Sequence, residues 1–206
     1  MTTGTLDDTG YLLVAGTDPD GPWAIVDGLV DERQLERVGR PVAGAPGVDL
    51  TRWEATRACL EGVVARRGVP GALIVLPPAA RRLACASIDA RAWRHVLDGT
   101  LTASMHVARA GLPHLLRGHG GPLVLVGWQP DPDGPDAAGA AASAALGGLA
   151  RAVAAEVADR GVRPNALLLP RRAPMAGQAG LRLLLAPDTP YIVAEVLTPR
   201  PIATQA

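Results

Sequence analysis

Four short, continuous apolar runs constrain the fold of this chain more than any other feature of its sequence. Continuous rather than alternating apolar residues indicate strands that are covered on both faces, as in a parallel sheet. Long helical patterns separate the last three runs, which is the strand-helix-strand order of an α/β domain with right-handed crossovers. The four runs are Leu12 to Ala15, Leu73 to Leu76, Leu123 to Val126 and Ala166 to Leu169.

The first of two long predicted helices begins near Asp89, where Ser87 and Asp89 are suitable capping residues. Apolar residues recur along it at spacings of three and four, which gives one long apolar stripe. We expect this stripe to lie in the core or against another subunit. Its members are Trp93, Leu97, Leu101, Met105, Ala108, Leu112 and Leu115.

The second long helix is predicted from about Ala137 to Asp159 and has two faces that favour burial. Small residues let another helix approach closely, because the side chains at a contact set the distance between helix axes. One face can therefore cover the sheet while the other contacts a partner subunit. The face of large residues holds Leu146, Leu149, Val153 and Val157, and the face of small residues holds Ala141, Ala145, Gly148 and Ala152.

Composition limits the classes of function. The chain has 206 residues, enough for one domain, and its zero net charge with 19% charged residues argues against nucleic-acid binding. The small-apolar run from Ala137 to Ala150 is shorter than the roughly 18 residues of a membrane span, so we expect no membrane segment. Cys59 and Cys85 lack CxxC spacing, which predicts buried, reduced thiols in a cytoplasmic protein.

The beginning of the chain permits two interpretations. The runs LLVAG and WAIV flank an Asp-Gly turn and could form a β-hairpin, or a helix could begin at Pro22. Two irregular loops, Asp131 to Pro135 and Arg171 to Gly180, follow the third and fourth predicted strands. Ligands of doubly wound sheets bind outside the carboxyl ends of the strands, so both loops border the expected site.

The order of these features resembles the short-chain dehydrogenase/reductase family from Asp49 onward. Family-like segments occur at Val48 to Thr51, Leu73 to Pro78, Trp93 to Leu101 and Gly121 to Trp128. The family's catalytic helix and following strand are anchored by Leu146, Glu156, Gly161 and Asn165, and its last helix and strand correspond to Leu183 to Thr198.

The resemblance implies a Rossmann-like, three-layer α/β/α fold with a mostly parallel sheet, formed by residues 1–206 as a single domain. The stretch from Gly16 to Asp49 is too short for the family's helix, strand and second helix. The segment after Pro170 lacks room for the usual substrate lid. We therefore expect a shortened nucleotide-binding half and a missing lid.

The family's catalytic residues are replaced in this chain. The resemblance places Thr100 at the catalytic Asn, Trp128 at the Ser, Gly139 at the Tyr and Ser143 at the Lys. All 20 basic residues are Arg, so no Lys elsewhere can take over that role. General acid catalysis needs a titratable group within reach of the reacting oxygen. The resemblance therefore implies that this chain is not a stand-alone NAD(P)-dependent oxidoreductase.

The family's glycine-rich phosphate loop is also altered. Gly16 and Gly21 remain, but Asp20 and Pro22 stand at glycine positions. Pro22 lacks an N–H group, and Asp18 and Asp20 would repel an anionic cofactor. Asp49 is the remaining residue of the cofactor site, although it could persist only to cap a helix. We expect no cofactor in this chain, and NAD(P) in a catalytic partner.

The leading hypothesis is a non-catalytic subunit that pairs with an active short-chain dehydrogenase through the two long helices, as a heterodimer or heterotetramer. The alternative partner is a second copy of the chain, in a homodimer through the same surface. Neither nucleic acid nor membrane is an expected partner. The expected interface residues are Trp93, Leu97, Leu101, Met105, Ala141, Ala145, Gly148, Leu149 and Ala152.

Two further hypotheses keep enzymatic activity. One is a non-redox reaction, a cyclisation or dehydration in small-molecule biosynthesis, and the other is a residual NAD(P)-dependent reductase. Trp128 could stack on a planar ligand, although a hydrophobic filler of the vacated pocket is favoured. The expected residues of a non-redox site are Trp128, Asp131, Asp133, Arg171 and Arg172.

The histidines do not predict a metal site. His95 and His106 could share a helix face, but they would lie about 16 Å apart along its axis. His114 and His119 follow further along the helix and in the next loop.

Overall fold

The computed structural model describes residues 10–16, 18–39, 47–79, 83–130, 134 and 136–200. The predicted alternation of strands and helices is confirmed. The strands are β1 Leu12–Gly16, β2 Leu35–Val38, β3 Ala72–Leu76, β4 Gly121–Trp128, β5 Val162–Leu169 and β6 Val196–Leu197. The helices are α1 Trp53–Arg67, α2 Ala90–Leu97, α3 Ala103–Arg117, α4 Ala137–Val157 and α5 Gly177–Leu185.

All six strands of the described chain form one sheet in the order β2-β1-β3-β4-β5-β6, and every neighbouring pair is parallel. The chain adds β2 on one side of β1 and then crosses to add β3 on the other side. This reversal creates a crevice between the carboxyl ends of β1 and β3, the position at which doubly wound sheets bind ligands.

Both faces of the sheet are covered, as the continuous apolar runs predict. One core cluster contains Leu60 of α1, Leu115 of α3 and Leu146 of α4. The opposite cluster contains Leu184 of α5 and Trp23, which lies in a short 3-10 helix. The expected three-layer arrangement is therefore confirmed, with long helices on one face and much shorter elements on the other.

The hairpin interpretation of the first residues is wrong. Trp23–Val26 form a single turn of 3-10 helix instead of a strand, and β1 pairs in parallel with β2 and β3. The described residues between β1 and β2 hold one more 3-10 turn, Glu32–Gln34. The segment between β1 and β2 is therefore shortened, as predicted for the stretch from Gly16 to Asp49. Its described residues form short 3-10 turns instead of a long helix.

The first long helix begins where the capping residues predict. Asp89 is its N-cap, and its carboxylate accepts a hydrogen bond from the Ala92 N–H at 2.7 Å. A π-helical segment, Asp98–Thr102, connects α2 to α3. Of the predicted stripe, Ala108 and Leu115 are buried, and the others are half-buried: Trp93, Leu97, Leu101, Met105 and Leu112.

The two predicted faces of α4 differ in burial. Leu146 and Val157 are buried, and Leu149 and Val153 pack against the core while remaining partly exposed. On the small-residue face, Ala141, Gly148 and Ala152 are exposed and Ala145 is half-buried. This second face is therefore not covered by the part of the chain that the structure describes.

Of two expectations drawn from composition, the absence of a membrane segment stays a prediction, and the burial of both thiols needs correction. The helix that contains the small-apolar run extends over 21 residues with a mean hydropathy of 1.3, so length and composition alone would allow α4 to cross a membrane. Its packing on β4 and β5 is that of a core helix. Cys85 is exposed rather than buried, because it lies in a turn before α2, and only Cys59 is partly buried.

Asn165, the chain's single asparagine, holds the last strand in place. It is fully buried; its Nδ2 donates to the Ile192 carbonyl at 2.9 Å, and its Oδ1 accepts from the Glu195 N–H at 2.9 Å. Between these two residues, Ala194 has a φ of 63°, which is unfavourable for a side chain with a Cβ. The buried amide thus offsets the strain of the loop that leads into β6.

We expect Asn165→Ala to lower the free energy of unfolding by about 2 kcal/mol, because two part-buried backbone groups lose a hydrogen-bond partner. Urea denaturation monitored by circular dichroism would measure the change. Thr198→Ala, an exposed position just beyond β6, is the control. Equal stability of the two variants would contradict this role of the amide.

The buried His114 makes stability depend on pH. Burial, together with the adjacent Arg117 guanidinium, lowers the pKa of His114 below its ordinary value of 6.5. Below pH 6.5 the unfolded chain therefore binds more protons than the folded chain, and the free energy of unfolding falls as pH falls.

We expect His114→Gln to reduce this loss of stability on acidification, measured by urea denaturation at several pH values on either side of pH 6.5. Thr198→Ala, which replaces no titratable group, is the control and should leave the pH dependence unchanged. An unchanged slope in the His114 variant would show that another group is responsible.

Candidate functional site

The crevice between the carboxyl ends of β1 and β3 opens into a cavity of about 410 Å³. Three carboxylates, those of Asp18, Asp49 and Asp98, line it, and among the described lining residues there is no arginine. Low-dielectric walls concentrate the field of such groups. The cavity is therefore electronegative at the place where a dinucleotide would put its phosphates. The other lining residues are Pro19, Thr51, Pro78, His95 and Gly99.

Trp23 occupies the space beside the first glycine of the altered phosphate loop. A methyl group on Gly16 would lie 2.8 Å from the indole ring, so the glycine is needed for internal packing. The indole N–H donates to the Asp18 carbonyl at 2.8 Å. At Gly21, a methyl group would lie 2.9 Å from the Pro77 carbonyl, because the two loops approach closely. Both remaining glycines thus serve the chain's own packing.

The loop after β1 does not fit a dinucleotide. A pyrophosphate binds at the N-terminus of a helix, where free backbone N–H groups and the helix dipole favour negative charge. Here the element after the loop is the four-residue turn Trp23–Val26, and Pro22 before it has no N–H to donate. The Asp18 carboxylate accepts the N–H groups of Asp20 at 2.9 Å and Ala79 at 3.0 Å.

Asp49 does not cap a helix, contrary to the alternative considered from the sequence. Helix α1 has Arg52 as its N-cap residue. Asp49 is exposed, and its Oδ1 accepts hydrogen bonds from the backbone N–H of Thr51 at 3.0 Å and from its hydroxyl at 2.6 Å. These bonds order the turn that precedes α1.

Thr100, at the position of the catalytic Asn, lies within the π-helical segment between α2 and α3. It is 5% exposed, and its carbonyl accepts a hydrogen bond from the Ser104 hydroxyl at 2.6 Å. Interruptions of this kind occur frequently at functional sites. The π-helical segment therefore includes the position that the resemblance assigns to the catalytic Asn, although the residue there is a threonine.

Trp128 and Ser143, at the positions of the catalytic Ser and Lys, are bonded to each other. The Trp128 backbone N–H donates to the Ser143 hydroxyl at 3.0 Å, and the Trp128 indole N–H donates to the Pro78 carbonyl at 2.8 Å. Trp128 is 9% exposed. An indole this deeply buried fits the role of a pocket filler better than that of an exposed stacking surface.

Gly139, at the position of the catalytic Tyr, lies against a buried ion pair. Arg171 Nη2 contacts Asp136 Oδ2, and their side chains are 8% and 2% exposed. Asp136 Oδ1 also accepts the Gly139 N–H at 3.1 Å. A methyl group on Gly139 would overlap the carboxylate and lie 2.9 Å from Arg171 Nη2. A side chain at position 139 would require the side chains of this pair to shift.

Asp136 was not predicted from the sequence, and the role expected of its partner Arg171 stays a prediction. Asp136 directly precedes α4, where a capping residue is expected, and that signal was available. Arg171 was expected in a non-redox site, but it is held in the ion pair and its Nε donates to the Gln129 carbonyl at 3.3 Å. Arg172 is exposed, and Asp131 and Asp133 lie outside the described residues.

The four histidines have different surroundings in the described structure. His95 is exposed at the edge of the cavity, and His106 Nδ1 lies 3.2 Å from the Leu50 carbonyl. His114 is a buried residue of α3. Within the described ranges, no group of three His, Cys, Asp or Glu side chains could hold a metal ion.

The fold and the position of the crevice define a Rossmann-like α/β domain. The sequence profile described as "short chain dehydrogenase" matches residues 32–171, about two thirds of the chain. The chain therefore belongs to the short-chain dehydrogenase family. Comparison with curated protein sequences finds no match.

Solved structures of several dehydrogenases share the fold. A short-chain dehydrogenase/reductase from Burkholderia xenovorans has a TM-score of 0.80 at 19% identity, over 92% of this chain and 94% of that one. The ligand-free aldohexose dehydrogenase of Thermoplasma acidophilum has a TM-score of 0.78 at 15% identity, over 96% and 98%. A short chain dehydrogenase from Mycobacterium smegmatis has a TM-score of 0.76 at 22% identity, over 92% and 91%. Identities this low show a shared fold alone.

We expect Asp136→Ala and Arg171→Ala each to lower the free energy of unfolding by about 3 kcal/mol or more, because each removes one charge of a buried ion pair. The double variant should lose clearly less than the sum of the two single losses. Thermal and urea unfolding of the three variants would measure the coupling. Additive losses would contradict a direct interaction between these side chains.

Proposed function

We propose that this chain is a non-catalytic member of the short-chain dehydrogenase family that pairs with a catalytically active member and stabilises or shapes it. The observation that carries the proposal is the buried Asp136–Arg171 pair against Gly139. Proton transfer requires a donor at the reacting oxygen, and position 139 carries no phenol, while the ion pair lies where a side chain at this position would extend.

Neither phenol of the chain is placed to replace the missing one. Tyr11 immediately precedes β1, at the amino end of the strand, and its hydroxyl donates to the Gly68 carbonyl at 3.1 Å. Burial raises its pKa above the ordinary value, which makes proton release harder. Tyr191 is 78% exposed in the segment before β6. Both lie away from the carboxyl-end crevice.

The nucleotide end supports the same proposal. A cofactor phosphate entering the crevice would meet the carboxylates of Asp18, Asp49 and Asp98, and the chain contains no Lys to offset them. Unscreened charges of like sign at short range oppose binding. In the proposed complex, the active partner therefore binds NAD(P), and this chain binds none.

The pairing surface in this proposal consists of the exposed small-residue face of α4 and the half-buried apolar residues of α2 and α3. Helix α4 packs beside α2 and the π-helical segment, so the two parts adjoin. Contiguous exposed apolar patches mark interaction sites, and small residues allow close approach of a partner helix. The residues of this surface are Trp93, Leu97, Leu101, Met105, Ala141, Ala145, Gly148, Leu149 and Ala152.

An active family member is the proposed partner because it shares this fold, and its corresponding helices can pack on α2, α3 and α4 in a quasi-symmetric way. Helix geometry common to this chain and dehydrogenases of known structure, over 92% of the chain in the first case above, supports that choice. The free thiols Cys59 and Cys85 suit a reducing, cytoplasmic setting, which forms part of the proposal.

Coexpression with an active family member from the same organism, followed by native mass spectrometry, tests the proposal. We expect a mixed dimer or tetramer that survives purification. A homodimer of this chain that excludes the active relative would contradict the proposal and would favour a role of its own for the crevice.

Gly148→Arg is the sharpest variant for the pairing surface. A Cβ on Gly148 would meet no described atom within 4 Å beyond its own stretch of helix, so the described part of the chain has room for a larger side chain to begin there. We expect the substitution to abolish the mixed complex with little change in Tm. Ala58→Arg, at an exposed position on α1, is the control and should leave the complex intact.

A further inference from the structure

We infer that the Asp18 carboxylate is an internal anion that occupies the crevice between β1 and β3, so that this fold is complete without a nucleotide. Each carboxylate oxygen accepts a different backbone N–H: Oδ1 that of Asp20 at 2.9 Å, and Oδ2 that of Ala79 at 3.0 Å. The inference concerns the chain by itself and holds whether or not the chain pairs with a relative.

The bond to Ala79 distinguishes this arrangement from an ordinary turn. An aspartate that accepts the N–H two residues ahead is a common local feature. The second oxygen, however, reaches a residue 61 positions away in the sequence, in the loop after β3. The carboxylate therefore links the loops on the two sides of the crevice, which is where a ligand of a doubly wound sheet lies.

The sequence of the β3 loop makes Ala79 the available donor. Pro77 and Pro78 follow β3 directly, and neither has an N–H group. Ala79 thus provides the first backbone donor after the strand. A hydrogen bond from a neutral N–H to a carboxylate is stronger than one to a neutral oxygen, which favours a negatively charged acceptor at this point.

The backbone of Asp18 completes the closure of the loop. Its carbonyl accepts the Trp23 indole N–H at 2.8 Å and the Gly21 N–H at 3.0 Å. The side chain and the carbonyl of one residue therefore satisfy four donors around the altered phosphate loop. An external phosphate would have to displace the Asp18 carboxylate from the Ala79 N–H. It would also add further negative charge beside the carboxylates of Asp49 and Asp98.

Anion rescue tests this inference. In Asp18→Ala, the N–H groups of Asp20 and Ala79 lose their acceptor, and we expect Tm to fall by roughly 3–6 °C. Millimolar sodium pyrophosphate should recover at least half of that loss, because a small anion can take the vacated position. Wild-type protein, in which the position is filled, should show no comparable gain.

Asp20→Ala is the matched control, since Asp20 is an exposed carboxylate of the same loop whose side chain makes no hydrogen bond within the described residues. It changes the net charge equally, so pyrophosphate should affect it as it affects the wild type. Equal stability of the two variants, or equal stabilisation of all three proteins by pyrophosphate, would overturn the inference. So would a loss of stability in Asp18→Ala that pyrophosphate does not selectively reverse.

Asp18→Asn keeps the inference testable where the alanine variant does not fold. The amide retains the shape of the side chain but only one acceptor oxygen and no charge. We expect the Ala79 or the Asp20 amide to exchange its hydrogen at least about tenfold faster in this variant, by nuclear magnetic resonance. Unchanged exchange at both amides would show that the carboxylate does not hold the loops together.

Discussion

The parallel sheet must be covered on both faces, and the rest of the structure depends on how this chain meets that requirement. On one face, α1, α3 and α4 cover the strands with long helices. On the other face, α5 and the short turn Trp23–Val26 cover the strands with far fewer residues. Trp23 is 5% exposed and contacts both the sheet and Gly16. A large indole thus compensates for a helix that the compressed segment cannot form.

Around the crevice, too, side chains of this chain occupy positions at which the family has catalytic or cofactor-binding groups. The Asp136–Arg171 pair lies where a tyrosine side chain would need space. The buried Trp128 indole donates a hydrogen bond to the Pro78 carbonyl. The Asp18 carboxylate accepts hydrogen bonds from the loops after β1 and β3. Buried polar groups must find partners, so each of these residues satisfies groups that would otherwise be left unpaired. A crevice completed in this way can be stable without any ligand, which is what a subunit without its own chemistry requires.

The strands and long helices could be predicted because burial on two faces and a helical repeat leave direct signals in the sequence. The match to the family begins at residue 32, after the altered loop, in agreement with the loss of recognisable pattern before that point. A hairpin and a helix both remained open at Trp23, because an Asp-Gly turn between apolar runs carries no information on parallel pairing. Asp136 could have been predicted as a capping residue of α4, but its ion pair with Arg171, 35 positions away, is visible only in three dimensions.

In the proposed role, this chain has the fold of a dehydrogenase but neither its chemistry nor its cofactor. Calorimetric titration of the purified mixed complex with NADH and with NADPH tests this proposal, because it counts cofactor sites per subunit. We predict one site for each active subunit and none for this chain, with no measurable binding to this chain alone. One cofactor per subunit throughout the complex, or saturable binding to the isolated chain, would contradict the account.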